Sequence, residues 1–293
     1  MASTMAQSAH HRLERSCGLP RGRAKGQIVQ GDWIRMAPSS PGVERLEAAF
    51  SGHAFAPHRH DTYAIGATLS GVQAFGYRGA ARHSLAGETF VLHPDEPHDG
   101  RAGSAAGFRY RILYVAPALI QRALGGGALP FVPGAVARSP RLTAALRPIL
   151  ADLEQPLAGL ALDEALVGLA DALAALDASA RRPAPATPHR RAVARARDLL
   201  DTATGPVTSA QLETASGLDR YALARHFRAC LGTSPYRYWT LRRLERARGL
   251  FEQGAPLAEA AADCGFADQS HMTRQFKAAY GITPRRWLAL RRH

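Results

Sequence analysis

One pattern of residues occurs twice in the C-terminal third of the chain, 49 positions apart, and it restricts the fold more than any other feature. From Asp219 and from Asp268 the same offsets carry an apolar residue (Leu223, Met272), an arginine (Arg225, Arg274) and a phenylalanine (Phe227, Phe276). They go on to a cation (Arg228, Lys277), a glycine (Gly232, Gly281) and a proline (Pro235, Pro284). A fixed period of this size marks a duplicated supersecondary unit.

Each copy reads as a helix with a nameable start and stop. Asp is a good acceptor for the orphan amides of a first turn. Leu223 and Phe227, like Met272 and Phe276, are four apart and share a face, which is the buried one. Arg225 and Arg274 fall about 200° around the helix from their first apolar anchors and point outward. Gly232 and Gly281 suit a left-handed stop, and Pro235 and Pro284 fit the first turn of a following helix. A shorter apolar helix and a glycine precede each copy: Ser209 to Ser216 with Gly217, and Leu257 to Cys264 with Gly265. Short helix, glycine turn and second helix with an outward polar face is the helix-turn-helix arrangement, present here twice.

Charge separates this region from the rest. The formal net charge of +13 divides into +9 over residues 189–293, +4 over residues 1–27 and zero over residues 28–188. A basic segment beside a neutral one implies a polyanionic partner for the former alone. Cys17, Cys230 and Cys264 are odd in number, and two of them sit at apolar positions of predicted helices, so they read as reduced and structural, in keeping with a cytoplasmic protein. The most apolar stretch, Leu157 to Leu176, is interrupted by Asp163, Glu164 and Asp171, and no membrane association is expected. The first residues lack the apolar core of a signal peptide, and 1–27 read as a disordered basic tail.

Residues 28–116 have the texture of an antiparallel barrel: short segments rich in Val, Ile, Tyr, Phe and Leu between Gly, Pro, Asp and Ser. The clearest strands are Ile28 to Met36, Tyr63 to Leu69, Val72 to Tyr77, Thr89 to Leu92 and Phe108 to Val115, with Gly71 as a turn. His58 and His60 are two apart and face one side of a strand, and His98 follows the turn Pro94-Asp95-Glu96-Pro97. With Gly71 and Gly87, this series resembles the cupin barrel. In metal-binding cupins a Glu follows the His-x-His by four or five residues, whereas Ala64 and Ile65 stand here. At most three imidazoles then remain for an ion, and no metal or other cofactor is assigned. Lining a pocket for an organic effector is the favoured role of His58, His60 and His98, against a metal site and against histidines satisfied within the barrel. Tyr63 and Tyr77 offer aromatic walls with polar tips to the same effector, although a core role is the favoured one for both.

From 117 to 180 the chain turns to Ala/Leu helices, one capped by Ser139 and running to Leu153, another from Gly159 to Asp177. The leucine pattern of the latter covers more than one face, one for the barrel and one for a second copy of the chain, so a homodimer is expected. Pro183, Pro185 and Pro188 mark 181–189 as a semi-rigid linker. Residues 190–293 hold seven predicted helices, near 190–203, 208–216, 219–230, 235–253, 256–264, 268–279 and 284–292. The fold class is thus α+β in two domains: a cupin-like antiparallel β-barrel with accessory helices, and an all-α domain of two helix-turn-helix units joined by a long helix.

The outward positions of the paired helices are Arg220, Tyr221, Ala224 and Arg225 in the first and Gln269, Ser270, Thr273 and Arg274 in the second, with Arg228 and Lys277 as cations for phosphate. A connecting helix of about 18 residues is about 27 Å long, close to the ~34 Å between successive major-groove faces on one side of a duplex. The run from Ala261 to Lys277, closed by Gly281-Ile282-Thr283-Pro284, resembles the second helix-turn-helix of the AraC/XylS family of bacterial transcription regulators, and Asp219 to Pro235 resembles the first. The resemblance implies base contacts from Tyr221, Ala224 and Arg225, then Gln269, Ser270, Thr273 and Arg274, and a cupin-like effector barrel ahead of them. Double-stranded DNA and a small-molecule effector are the implied partners, with RNA polymerase as a further contact. Glu213 stands where an alanine is usual, and a looser first unit is expected from it.

The favoured function is a ligand-responsive, sequence-specific transcription regulator without enzymatic activity. A metal-dependent cupin enzyme fused to a DNA-binding tail is the alternative, disfavoured by the missing Glu and by the lack of paired acid/base groups near His58 and His60. An architectural DNA binder with a ligand-blind barrel is a third.

Overall fold

The computed structural model describes residues 31–177, 189–203 and 205–291. The basic tail, Cys17 and the proline-rich linker up to residue 188 lie outside the described residues. Strands β1 (Trp33–Met36), β2 (Val43–Phe50), β3 (His53–His58), β4 (Tyr63–Tyr77), β5 (Ala80–Leu85), β6 (Thr89–Leu92), β7 (His98–Ala102), β8 (Phe108–Val115) and β9 (Val136–Ala137) build the N-terminal domain, antiparallel at every strand pairing. One layer runs β1-β2-β8-β4-β6-β9, and the other pairs β3 with β7 and β7 and β5 with the far half of β4.

The expected turn at Gly71 is corrected here, since β4 runs unbroken for 15 residues. Its register slips between Thr68 and Ser70, and Gly71 has φ of +71°. A Cβ at Gly71 would lie 1.9 Å from the Gly107 carbonyl oxygen. The glycine therefore serves a corner at which one strand passes from the first layer to the second, as strands do at bulges in orthogonally packed sheets. Strands β2, β3, β5 and β7 lack the clean alternation that would mark them in sequence; β2, for example, is buried at seven of its eight positions.

Helices α1 (Pro117–Ala123), α2 (Pro140–Leu150) and α3 (Gly159–Ala175) cover the outer face of the first layer. Ser139 caps α2 as expected, accepting from the Leu142 amide. Arg45 and Arg111 donate to the carbonyls of Ile149, Leu150, Ala151 and Asp152, so cations of the sheet meet the negative end of α2.

The seven helices of the C-terminal region appear where the repeat places them: α4 (Arg190–Thr202), α5 (Ser209–Ser216), α6 (Arg220–Leu231), α7 (Pro235–Glu252), α8 (Leu257–Asp263), α9 (Gln269–Tyr280) and α10 (Pro284–Leu290). Gly217, Gly232 and Gly281 close their helices at φ of +71°, +73° and +73°. The two units are buried differently. Leu223 and Phe227 pack in a core of their own with Val193, Ala196 and Leu200 of α4. Met272 and Phe276 belong instead to one apolar cluster that continues through Leu241, Phe251 and Trp287 into the barrel at Ile34, Leu46 and Phe50.

Candidate functional site

The helix caps that open the two outward-facing helices differ by the residue that separates their glycine turns. Asp219 accepts from the amides of Tyr221 and Ala222, whereas Asp268 accepts from His271 alone. Tyr221 is 72% exposed, and Arg225, Arg228, Ser270, Arg274 and Lys277 are exposed as well, with Ala224, Gln269 and Thr273 half-buried. Arg220 is exposed but engaged: its main-chain amide and guanidinium both donate to Glu213, at 2.9 and 3.0 Å. This corrects the expectation for Glu213. Its carboxylate bridges α5 to the start of α6, a tie that an alanine lacks, and holds Arg220 while doing so.

Each of these helices ends against the barrel. At Gly281, the Ala56 amide donates to the glycine carbonyl at 2.9 Å and the Arg59 amide to the Ala278 carbonyl at 3.3 Å. At Gly232 the neighbour is Pro94, whose Cβ would lie 2.6 Å from an added Cβ. The loop with Pro94 carries Asp95, which pairs with Arg237 at 2.8 Å and Arg228 at 3.4 Å. Further ion pairs cross the junction: Arg242 to Asp61 at 2.9 Å, Arg286 to Asp32 at 2.6 Å, and Arg248 to Glu44. Asp32, Glu44, Asp61 and Asp95 thus neutralise arginines of the basic domain. Sequence alone gives no sign of this, because cations on α7 that face a second domain carry no mark distinguishing them from cations that face water. Asp95 reads there only as a turn residue.

Between the domains lies a cavity of about 170 Å³. Its apolar walls include Ile34, Leu46, Phe55, Leu241 and Trp287, and its polar groups include His58, His60, Asp61, Arg242, Glu245 and Arg248. Burial drives the Glu245 carboxyl up to about 7 against the pull of Arg242, with Asp61 and Glu44 adding to the rise. Burial likewise raises Asp61, with Arg242 opposing. Glu245 is therefore partly protonated near neutrality.

His58 and His60 line the barrel end of this cavity, and His98 stands beside them, opposite His58 across β3 and β7. Ring centroids are 4.2 Å apart for His58 and His98 and 4.8 Å for His60 and His98. Burial lowers all three pKa values, and the neighbouring imidazoles lower His58 and His60 further, so the rings are neutral at pH 7. The two tyrosines do not join them, which corrects the expectation that they wall the same pocket. Tyr63 donates to the Pro130 carbonyl under α2 and α3, and Tyr77 bonds His93 inside the barrel. Period-2 alternation over an unbroken strand would put Tyr63 and Tyr77 on one side of β4, but the register slip between Thr68 and Ser70 inverts it, so that Tyr63 packs on the outer face under the helices and Tyr77 on the inner face.

Comparison with known proteins follows the same division. The family described as "AraC-like ligand binding domain" matches residues 40–170, and the "Helix-turn-helix domain" family matches residues 212–290. An uncharacterized HTH-type transcriptional regulator of Bacillus subtilis, YbfI, is 27% identical over 74% of this chain and 81% of its own length. The regulator GbdR of Pseudomonas aeruginosa is 35% identical over 27% of this chain and 22% of its own length. Among solved structures, ToxT from Vibrio cholerae O395 superposes with a TM-score of 0.60 over 86% of this chain and 98% of that one, at 13% identity, a likeness of fold. An antiparallel strand domain with a cavity at its junction to two helix-turn-helix units, whose outer faces are exposed, agrees with both matched families, and the chain belongs to the AraC-type transcriptional regulators, with an N-terminal ligand-binding domain and a C-terminal DNA-binding domain.

Proposed function

We propose that the docked arrangement is the low-affinity form of this regulator, and that an effector in the cavity between the domains releases it for DNA. The carrying observation is electrostatic. Four barrel carboxylates (Asp32, Glu44, Asp61 and Asp95) hold arginines of the domain whose net charge drives association with a polyanion. Arg228, a candidate phosphate contact, is among them. In the released form Tyr221, Ala224 and Arg225 of α6 and Gln269, Ser270, Thr273 and Arg274 of α9 read base edges, with Arg228 and Lys277 on phosphates. Arg220, held by Glu213, contributes to positioning rather than readout.

The effector is a carboxylic acid with an apolar body. Ile34, Leu46, Phe55, Leu241 and Trp287 supply an apolar wall, and Arg242 and Arg248 supply cations whose present partners are protein carboxylates. A cavity of about 150 Å³ accommodates a benzene ring, so about 170 Å³ accepts a ring or short chain as it stands and a longer chain once the domains part. ToxT, of the same fold, has been solved with an unsaturated fatty acid and with a naphthyl butenoic acid. Leu160, 86% exposed, and Val167, 46% exposed, support α3 as the surface of a homodimer. The relatives' printed role, HTH-type transcriptional regulator, supports a regulator acting at a promoter, and we extend this to cytoplasmic action on RNA polymerase with no reaction catalysed. The test is binding of the purified full chain to fragments flanking its own gene. A sequence-preferring complex whose log affinity falls linearly with log salt is expected; a salt-insensitive or indiscriminate complex contradicts the proposal.

A further inference from the structure

The cavity between the domains holds an unbalanced set of charges. Its wall carries two arginines, Arg242 and Arg248 of α7, and three carboxylates, Glu44 of β2, Asp61 between β3 and β4, and Glu245 of α7. The other titratable groups of the wall are neutral at pH 7: burial lowers His58 and His60, and burial raises Tyr114 of β8 and Tyr280 of α9. With every carboxylate ionised, the cavity therefore has one negative charge in excess. The three carboxylates are held unequally. Glu44 accepts from both Nη1 and Nη2 of Arg248. Asp61 and Glu245 approach the same nitrogen of Arg242, Nη2, each at 2.9 Å, and the hydrogen bond goes to Asp61. Glu245 is thus the carboxylate whose charge the arginines cover least. Burial accordingly pushes it up to about 7.

A carboxylate entering this cavity adds a second uncompensated charge, and an unpaired charge out of water is costly. The closed junction has two responses: it takes up a proton, or it parts and lets water reach Glu245, which is then ionised at neutral pH. We propose that the proton on Glu245 decides what the effector does: with it the closed junction accepts a carboxylate and stays docked, and without it the added charge drives the barrel and the helix-turn-helix units apart. The inference rests on the proposed carboxylic acid effector and adds the condition under which that effector acts. The closed complex with a carboxylate holds one proton more than the parted complex, so rising pH shifts the balance toward the parted one. The effector's preference for the parted form is therefore constant well below pH 7 and grows above it by up to about tenfold per pH unit.

The experiment uses the full chain and benzoate, a ring-bearing acid, at pH 6 and pH 8. Amide exchange at Ala56 and Arg59, which donate to the Gly281 and Ala278 carbonyls across the junction, reports parting, each rate being divided by that of an unstructured peptide at the same pH. Saturating benzoate should lower protection by a factor about five to ten times larger at pH 8 than at pH 6. His58 and His60 gain protons in the parted form with and without benzoate, so their contribution cancels in this ratio. In Glu245→Gln benzoate should act weakly and equally at both pH values, whereas Glu259→Gln, at an exposed position of α8, should behave as wild type. A benzoate effect of the same size at pH 6 and pH 8 in the wild type overturns the proposal. So does a pH dependence that survives in Glu245→Gln, which would put the proton on Asp61 or on the acid itself. Calorimetric titration with benzoate at both pH values separates the two readings. Saturable binding without the pH-dependent parting removes Glu245 as the gate and leaves the effector class standing, whereas no saturable binding at either pH refutes both.

Discussion

Replacing Gly281 by alanine tests the junction, because Gly217 provides a matched control. Both glycines close a helix of a helix-turn-helix unit in the left-handed region, at φ of +73° and +71°. An L side chain costs about 1–2 kcal/mol in that conformation at either position. At Gly217 the added Cβ meets only the end of the Arg195 guanidinium, at 3.7 Å, and nothing further is lost. At Gly281 it would lie 2.8 Å from His58 Nδ1, 2.9 Å from the Ala56 carbonyl oxygen and 2.9 Å from Phe55 Cβ. Main-chain atoms cannot swing aside, so the barrel and α9 must part, and the bond from Ala56 to Gly281 is lost at about 1 kcal/mol. Gly217→Ala should therefore lose about 1–2 kcal/mol and Gly281→Ala about 2–3 kcal/mol. Two-domain unfolding is not bound to be two-state, so the more direct assay is amide exchange at Ala56, read alongside urea unfolding. Exchange there should accelerate in Gly281→Ala and stay unchanged in Gly217→Ala. Equal losses in the two variants, with Ala56 protection intact in both, would refute the reasoning.

Three further outcomes follow from particular residues. Arg274→Ala should cost about 1–3 kcal/mol in DNA affinity and relax preference at one base position, while Tyr221→Ala changes base preference less; selection from randomised duplexes checks both. His93 accepts from the Val132 amide through Nε2 and bonds Tyr77 through Nδ1, and burial, with Arg78 adding, lowers its pKa to about 4. Its unfolded value is about 6.5, so stability is fully present above that pH and is lost as pH falls toward 4, by about 3 kcal/mol in all; an NMR titration of His93 in the folded chain that gives an ordinary midpoint would contradict this. Leu160→Glu places a charge at the most exposed apolar position of α3 and should shift the chain to monomer in sedimentation, leaving its melting temperature unchanged.

The helical domain was legible because its information is local. Asp219, Gly232 and Pro235, like Asp268, Gly281 and Pro284, act within a few residues of themselves, and the observed helices begin and end beside them. The His58, His60 and His98 cluster was legible for a related reason, since two of the three are two positions apart and the third follows a proline-rich turn, although His60 lies just past the end of β3 and not on the strand expected to hold both. What the sequence concealed is long-range. Gly71 looks like a turn because a left-handed glycine serves a hairpin and a bulged strand corner alike. Tyr63 and Tyr77 are amphipathic, and nothing nearby says whether their hydroxyls meet a ligand or, as observed, Pro130 and His93. Glu213 looks disruptive until Arg220, seven residues on, is seen to hold it. The ion pairs of Asp95 with Arg228 and Arg237 join residues more than a hundred positions apart, beyond any periodicity a sequence displays.

The account depends on docking to the barrel lowering the affinity of the helix-turn-helix units for DNA. A cysteine pair at Arg59 and Ala278, whose main chains share a 3.3 Å hydrogen bond, would lock that arrangement when oxidised, in a chain with Cys17→Ser. The direct measurement is Kd for the same promoter fragment, at one salt concentration, before and after reduction of this disulfide. Locked protein should bind at least about tenfold more weakly than reduced protein, a difference of about 1.4 kcal/mol. Equal affinities, or tighter binding by the locked form, would contradict the account.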